Sequence, residues 1–161
     1  WMGKQWPAER YATLASNLCA PGGPLQGARV LVVGEENDRD AAHLIRLAIP
    51  RGRTLELQGR LSPLQVVAAL QRADLYLGGD SLWTQLATAA GAPVVAAFGP
   101  SDDAVRGPWG GVVVRGPRSV AEFRKIDPGL NQAIQHMNEV PVERVLKAAR
   151  KLLAERVNAG A

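Results

Sequence analysis

Apolar positions change their spacing repeatedly along the chain, and each change marks a predicted element. From Pro7 to Leu18 they fall at Tyr11, Leu14, Ala15 and Leu18, one face of a helix. Ala20 to Gly27 is a Pro/Gly loop. Arg29 to Gly34 (RVLVVG) is β-branched and ends in glycine, as expected of a strand buried on both faces. Helical spacing returns over Asn37 to Ile49, with Ala41, Leu44, Ile45 and Ala48 as its stripe and Pro50 as its stop. A second strand is predicted over Leu55 to Gly59. Ser62-Pro63-Leu64-Gln65 then carries a capping serine, proline at the first helical position and glutamine in the capping-box position, opening a helix that runs to Arg72.

The alternation continues with a strand at Asp74–Gly78 (DLYLG), a helix at Ser81–Ala90 and a strand at Pro93–Gly99 (PVVAAFG). A fifth strand is expected at Gly111–Arg115 and a short helical turn at Val120–Phe123. Helices follow at Pro128–Met137 and Pro141–Val157. Strands alternating with helices of about ten residues predict an α/β fold, a parallel sheet covered on both faces.

In such open sheets a ligand sits beyond the carboxyl ends of the strands. Four turns that follow predicted strands open with glycine: Gly34-Glu35-Glu36-Asn37-Asp38, Gly59-Arg60-Leu61-Ser62, Gly78-Gly79-Asp80-Ser81 and Gly99-Pro100-Ser101-Asp102. All four are expected on one rim, which reads as a binding surface.

Length and composition narrow the class. With 161 residues, 47% of them hydrophobic, residues 1–161 suffice for one domain with a filled core. No apolar run approaches the ~20 residues that span a bilayer. No basic-then-apolar leader opens the sequence, so a cytoplasmic protein is expected. The net charge of +4 is spread over scattered arginines and lysines, and aromatics make up only 5%. Stacking platforms for single strands are therefore scarce, and no nucleic-acid partner is expected. Attraction to phosphorylated ligands or to an anionic membrane face is the better use of the charge. Cys19 is the only cysteine, which excludes an internal disulfide and a cysteine-based zinc cluster and leaves it a packing residue.

Common catalytic signatures are missing. The sequence has no G-x-G-x-x-G after a strand, no Walker loop, no G-x-S-x-G and no histidine pair at metal spacing. His43 and His136 read as surface or packing residues. The helix that starts at Ser81 offers free backbone N–H groups and a partial positive end, a seat for phosphate. Asp80 and Ser81 are expected to cap that helix, and a carboxylate there also accepts hydrogen bonds from sugar hydroxyls. Lys4 is either a cation for a diphosphate or an ordinary solvated lysine; spacing alone does not choose.

Four segments, "GKQWPAERYATLASNL", "VLVVGEENDRDAA", "LQGRLSPLQVVAALQRADLYLGGDS" and "LATAAGAPVVAAFGPSD", together give the chain a familiar order. Their motifs are K-x-W-P, L-x-G-x-x-S-x-x-Q, Asp-Ser before a helix, and P-V-V-A-x-F-G-P. In order and spacing they resemble the C-terminal half of the family 9 glycosyltransferases, the heptosyltransferases of the bacterial lipopolysaccharide core. The resemblance covers Gly3 to Pro108 and implies a GT-B architecture of two Rossmann-like domains, of which this would be the doubly wound, donor-binding one. It implies a nucleotide-sugar donor, commonly ADP-heptose, and inverting transfer with no metal or other cofactor. It also implies a glycolipid acceptor held by an N-terminal domain that supplies the catalytic base, so no catalytic residue is expected in this chain.

Carried over by position, Lys4 would meet the donor diphosphate and Asp38 would lie near the adenosine ribose. Asp80, Ser81 and the backbone of Leu82 and Trp83 would hold the phosphate and sugar end. Gly99 and Ser101 would complete the wall. Where the family has glycine and histidine, this sequence has Leu82 and Gln85; the glutamine donates a hydrogen bond but carries no positive charge. Trp83 either stacks on the donor or fills the wall.

The family pattern also places an apolar strand and a glycine-rich loop just ahead of K-x-W-P, where this sequence has Trp1-Met2-Gly3. That strand lies at the centre of a doubly wound sheet, and without it two half-sheets with raw edges are expected. Upstream residues, a neighbouring chain or a smaller sheet would each resolve this.

The last predicted helix carries a stripe of Val142, Val145, Leu146, Ala149, Leu152 and Leu153 beside Arg144, Lys147, Arg150 and Lys151. It either packs on the sheet with a solvated basic face or makes a peripheral contact with the inner membrane. Three functions stay open: a transferase donor domain, a non-catalytic nucleotide or sugar-phosphate module of the same fold, and another parallel α/β enzyme such as a sugar-nucleotide epimerase.

Overall fold

Parallel strands alternate with helices in the computed structural model, which describes residues 2–132 and 136–159. A 3-10 turn at Met2–Lys4 leads into α1 (Ala8–Cys19). Then come β1 (Val30–Val32), a 3-10 turn at Glu36–Asp38, α2 (Arg39–Ala48), β2 (Thr54–Glu56) and α3 (Pro63–Leu70). After these lie β3 (Tyr76–Gly78), α4 (Leu82–Ala89), β4 (Val94–Phe98), α5 (Asp103–Arg106) and β5 (Val112–Arg115). The described elements end with α6 (Val120–Ile126) and α7 (Val142–Ala159).

The strands form two sheets, β1-β2 and β3-β4-β5, and every pairing is parallel. The expected division into two half-sheets is what the structure contains. β4 is central to its sheet and buried at every residue, which is why it reads as an unbroken apolar run. Its side chains alternate between two cores. Val95 and Ala97 meet Leu14 and Leu18 of α1, Val114 of β5, and Val145 and Ala149 of α7. Val94, Ala96 and Phe98 meet Val66 and Leu70 of α3 and Ala87 of α4. Helices therefore cover both faces, as a parallel sheet requires.

α1 also belongs to the other half-sheet. Ala15 and Cys19 pack with Ile49, against the half-buried Val30 of β1. One helix thus bridges the two sheets. The stripe of α7 packs inward through Val145 and Ala149, and Lys147, Arg150 and Lys151 face solvent.

Several sequence expectations are corrected. β1 is shorter than Arg29–Gly34 and only half-buried, and among the described residues it pairs with β2 alone. β2 starts at Thr54 and ends before Leu57, where the chain turns toward Gly59. In α2 it is Ala42 that is buried, and Leu44 is 39% exposed. α5 was not expected; Asp102 caps it by accepting from the Ala104 amide at 3.1 Å. α6 is longer than the single turn expected. The helix expected over Pro128–Met137 is absent from 128–132, where the chain turns and Leu130 has a left-handed φ of 53°. The part of that expectation at 133–135 lies outside the described residues.

Candidate active site

Between β1 and β3 lies a cavity of about 880 Å³ that runs along both strands, and Lys4, Asp38, Asp80, Ser81, Leu82 and Trp83 are among the residues that line it. Six of the nine sequence-expected site residues, drawn from three turns, thus share one space.

The turn after β3 is held tightly. At Gly78 a Cβ would lie 2.5 Å from Tyr76 Cε1 and 2.6 Å from Thr84 Oγ1, so only glycine lets α4 cross so close to the strand. Thr84 donates from Oγ1 to the Gly79 carbonyl at 2.6 Å, and Ser81 Oγ accepts from the Thr84 amide at 3.3 Å. Ser81 is the N-cap of α4, as its sequence position indicates. The first-turn amides of Leu82 and Trp83 have no carbonyl one turn back to satisfy them, and both residues sit on the cavity wall.

Asp80 is the carboxylate of this turn, its side chain 9% exposed. Lys4, from the 3-10 turn before α1, places Nζ 2.5 Å from Asp80 Oδ2. A cation is thereby fixed at the positive end of a helix, and the carboxylate balances both. Across the cavity Asp38 closes a second glycine-led turn: its Oδ2 accepts from the Glu35 amide at 2.9 Å. The first two turns also touch, the Gly59 amide donating to the Gly34 carbonyl at 3.0 Å.

Two phenols that the sequence reading passed over line the same cavity, Tyr11 of α1 and Tyr76 of β3. Burial pushes both hydroxyl groups well above the usual tyrosine range, so they remain neutral donors. Nothing local in the sequence marks them; they meet only through the crossing of α1 over β3. Cys19 also borders this space, and burial pushes its thiol up.

The other three expected residues are elsewhere. Gln85 points from α4 toward α5, donating from Nε2 to the Arg106 carbonyl at 2.9 Å. Gly99 lies under Met137, whose Sδ would be 2.4 Å from an added Cβ, and Ser101 is buried. Arg115 of β5 closes this turn. Its guanidinium donates to the Gly99 carbonyl at 2.5 Å, to the Ser101 carbonyl, and to Asp103 Oδ1 at 2.6 Å. The turn therefore supports the rim and does not line the cavity. The sequence reading placed Arg115 at the end of the fifth strand and among the scattered basic residues, without a role in this turn, because its partners lie 12 to 16 positions away.

Both histidines are outside the cavity. His43 is exposed beside Arg46, and His136 is buried against Asp127.

Comparison with known proteins identifies the family and the fold. Residues 1–122 match the family model for glycosyltransferase family 9 (heptosyltransferase). A glycosyl transferase of family 9 from Veillonella parvula superposes with a TM-score of 0.77 and 26% identity, over 95% of this chain and 43% of that one. The E. coli ADP-heptose lipopolysaccharide heptosyltransferase II superposes with a TM-score of 0.75 and 23% identity, over 96% of this chain and 43% of that one, a likeness of fold. No curated protein matches the sequence. The chain spans less than half the length of either solved structure. On the match across its first 122 residues, this chain belongs to glycosyltransferase family 9.

Proposed function

We propose that this chain is the donor-binding part of an inverting, metal-independent glycosyltransferase. Its donor is a nucleotide sugar of the ADP-heptose type and its acceptor a glycolipid such as a lipopolysaccharide core. The observation that carries the reading is Lys4 paired with Asp80 at the open start of α4, on the wall of a cavity of about 880 Å³.

The chemistry follows from that arrangement. An acceptor hydroxyl oxygen attacks the anomeric carbon from the face opposite the diphosphate, and the bond from that carbon to the diphosphate oxygen breaks. Negative charge builds on the leaving diphosphate. Lys4 and the Leu82 and Trp83 amides stabilise it there. The hydroxyl proton passes to a base in the acceptor-binding domain. In this reading Asp38, in the turn after β1, accepts from ribose hydroxyls.

A second reading, a non-catalytic nucleotide-binding module, draws on Leu82 and Gln85. Neither side chain carries a charge, and Gln85 is engaged with the Arg106 carbonyl. We place the protein at the cytoplasmic face of the membrane that carries its acceptor. No described helix is long and apolar enough to cross a membrane.

Calorimetry with ADP, UDP and GDP tests the reading. One nucleoside diphosphate should bind in preference, and Lys4→Met should weaken it about tenfold or more, the worth of a charge-assisted hydrogen bond. Absence of binding by all three sinks the donor assignment. Binding with no sugar transfer by a longer polypeptide that includes the acceptor domain favours the module.

A further inference from the structure

β2 carries a free edge. The Val30 amide donates to the Arg53 carbonyl at 2.8 Å, and the Leu57 amide to the Val32 carbonyl at 3.0 Å. Alternate residues of a parallel strand turn to opposite sides, so Thr54, Glu56 and Gln58 aim their backbone groups away from β1. Among the described residues β2 pairs with β1 alone. A groove of about 720 Å³ runs along this strand, lined by residues 54–58 and by Arg39, Asp40 and His43 of α2. It shares no lining residue with the cavity that holds Lys4 and Asp80.

Two unmet polar groups belong to the residues of this groove. Thr54 Oγ1 and Gln58 Nε2 are buried and have no hydrogen-bond partner among the described residues, and Gln58 as a whole is only 4% exposed. A buried polar group left in that state is unfavourable. Apolar side chains lie open nearby. Leu55 of β2 is 47% exposed, and Leu47, one turn beyond His43 on α2, is 64% exposed.

We propose that this edge pairs with the same edge of a second copy of the chain, antiparallel and centred on Glu56. A two-fold axis makes such an interface self-complementary, each residue meeting the partner of its own partner. In this register Glu56 faces its counterpart, and the two exchange both backbone hydrogen bonds. Thr54 faces the partner's Gln58, whose backbone amide donates to the Thr54 carbonyl. Thr54, Glu56 and Gln58 share one face of the strand by alternation. Gln58 Nε2 of one copy therefore meets Thr54 Oγ1 of the other, twice, an amide donor against a hydroxyl acceptor. On the opposite face Leu55 meets the partner's Leu57, also twice. The α2 helices come side by side and cover Leu47. The one like-charge contact, between the two Glu56 carboxylates, is offset within each copy by Arg46, whose Nε lies 2.9 Å from Glu56 Oε1. A shift of two residues in either direction would part Thr54 from Gln58. The inference does not rest on the donor reading.

Sedimentation of the 161-residue chain tests it. The mass should rise from 17.2 kDa toward twice that value between about 10 µM and about 1 mM, as a small interface requires. Exchange of the Thr54, Glu56 and Gln58 amides should slow about tenfold or more over the same range. Glu56→Pro should keep the chain monomeric and leave its pairing with β1 intact, because the amide it removes faces away from β1. Leu47→Glu, a change on an exposed helix face, should weaken association about tenfold or more and serves where the proline variant does not fold. Under mild oxidation Glu56→Cys should cross-link to its counterpart, since facing residues have the Cα spacing of a disulfide. Thr54→Cys should cross-link only when mixed with Gln58→Cys. A single 17.2 kDa species at every concentration overturns the proposal. So does association that leaves the three amides fast, or that neither Glu56→Pro nor Leu47→Glu weakens. Cross-linking of Thr54→Cys alone as readily as Glu56→Cys overturns the register.

Discussion

Lys4 Nζ and Asp80 Oδ2 lie 2.5 Å apart, joining the turn before α1 to the turn before α4. The pair ties the entrance of the chain to the cap of the helix that faces the cavity. Lys4→Met should therefore reduce stability as well as diphosphate binding. It leaves a carboxylate that is only 9% exposed without its cation. The expected loss is about 1–3 kcal/mol, the usual cost of stranding a buried polar group. For a chain of this length that is a fall in melting temperature of roughly 2–12 °C. The double variant Lys4→Met, Asp80→Asn should recover much of the stability and none of the diphosphate binding. A loss in the double variant equal to the sum of those in Lys4→Met and Asp80→Asn alone would show that the two residues act independently.

Capping and ligand binding at the same helix start are separable through Ser81. Its hydroxyl satisfies the Thr84 amide at 3.3 Å. Ser81→Ala should cost about 0.5–2 kcal/mol and Ser81→Gly only a few tenths, the ordinary ranking at an N-cap. Chemical denaturation of both variants measures the difference. If both lose nucleotide affinity while only the alanine variant loses stability, the hydroxyl touches ligand as well as backbone.

Local patterns were legible where local forces decide. The Ser62–Gln65 capping box forms on both sides, the Ser62 amide donating to Gln65 Oε1 at 2.9 Å and the Gln65 amide to Ser62 Oγ at 3.4 Å. β4 announced its burial by its unbroken apolar run, and Asp80-Ser81 announced a helix start. What escaped depends on distant partners. β1 is only three residues long, and α5 is four residues long, too short for a periodic signal. Asp127 organises its turn through a carboxylate that accepts from Asn131 and Gln132, which the helical spacing nearby concealed. Lys4, Asp38 and Asp80, named from motif positions, line one cavity. Gln85 donates to the Arg106 carbonyl of α5, a partner that spacing along α4 does not reveal.

Gly78 shows how the rim depends on a missing side chain. Alanine there would place a Cβ 2.6 Å from Thr84 Oγ1, the donor to the Gly79 carbonyl, and 2.5 Å from the Tyr76 ring. Both neighbours belong to the packed floor beneath α4, so neither yields freely. Gly78→Ala should destabilise by about 1–3 kcal/mol, the range for overpacking. Gly91→Ala is the control for backbone strain, because that glycine has a φ of 77° and open space around its missing side chain. A loss at Gly78 no larger than at Gly91 would remove crowding as the reason.

Asp127 should make stability sensitive to acid. Its carboxylate accepts from the Gln132 amide at 2.7 Å, from the Asn131 amide at 2.9 Å and from His136 Nε2 at 3.0 Å. These bonds, the Gln132 amide first, hold its pKa below the ordinary aspartate value of 3.8, although burial pushes the other way. A depressed folded value means that the unfolded chain takes up the proton first as pH falls. The stabilisation is therefore complete above the ordinary value and drains away as pH drops through the folded one. Melting temperatures of the parent and of Asp127→Asn, followed from neutrality to about pH 2, should differ most at neutrality and converge in acid. Asp127 also holds His136, whose neighbour Met137 lies over Gly99, so losing that bond should also raise exchange at the Gly99–Ser101 turn under the same conditions. Parallel melting curves across the whole range would locate the acid sensitivity in another carboxylate.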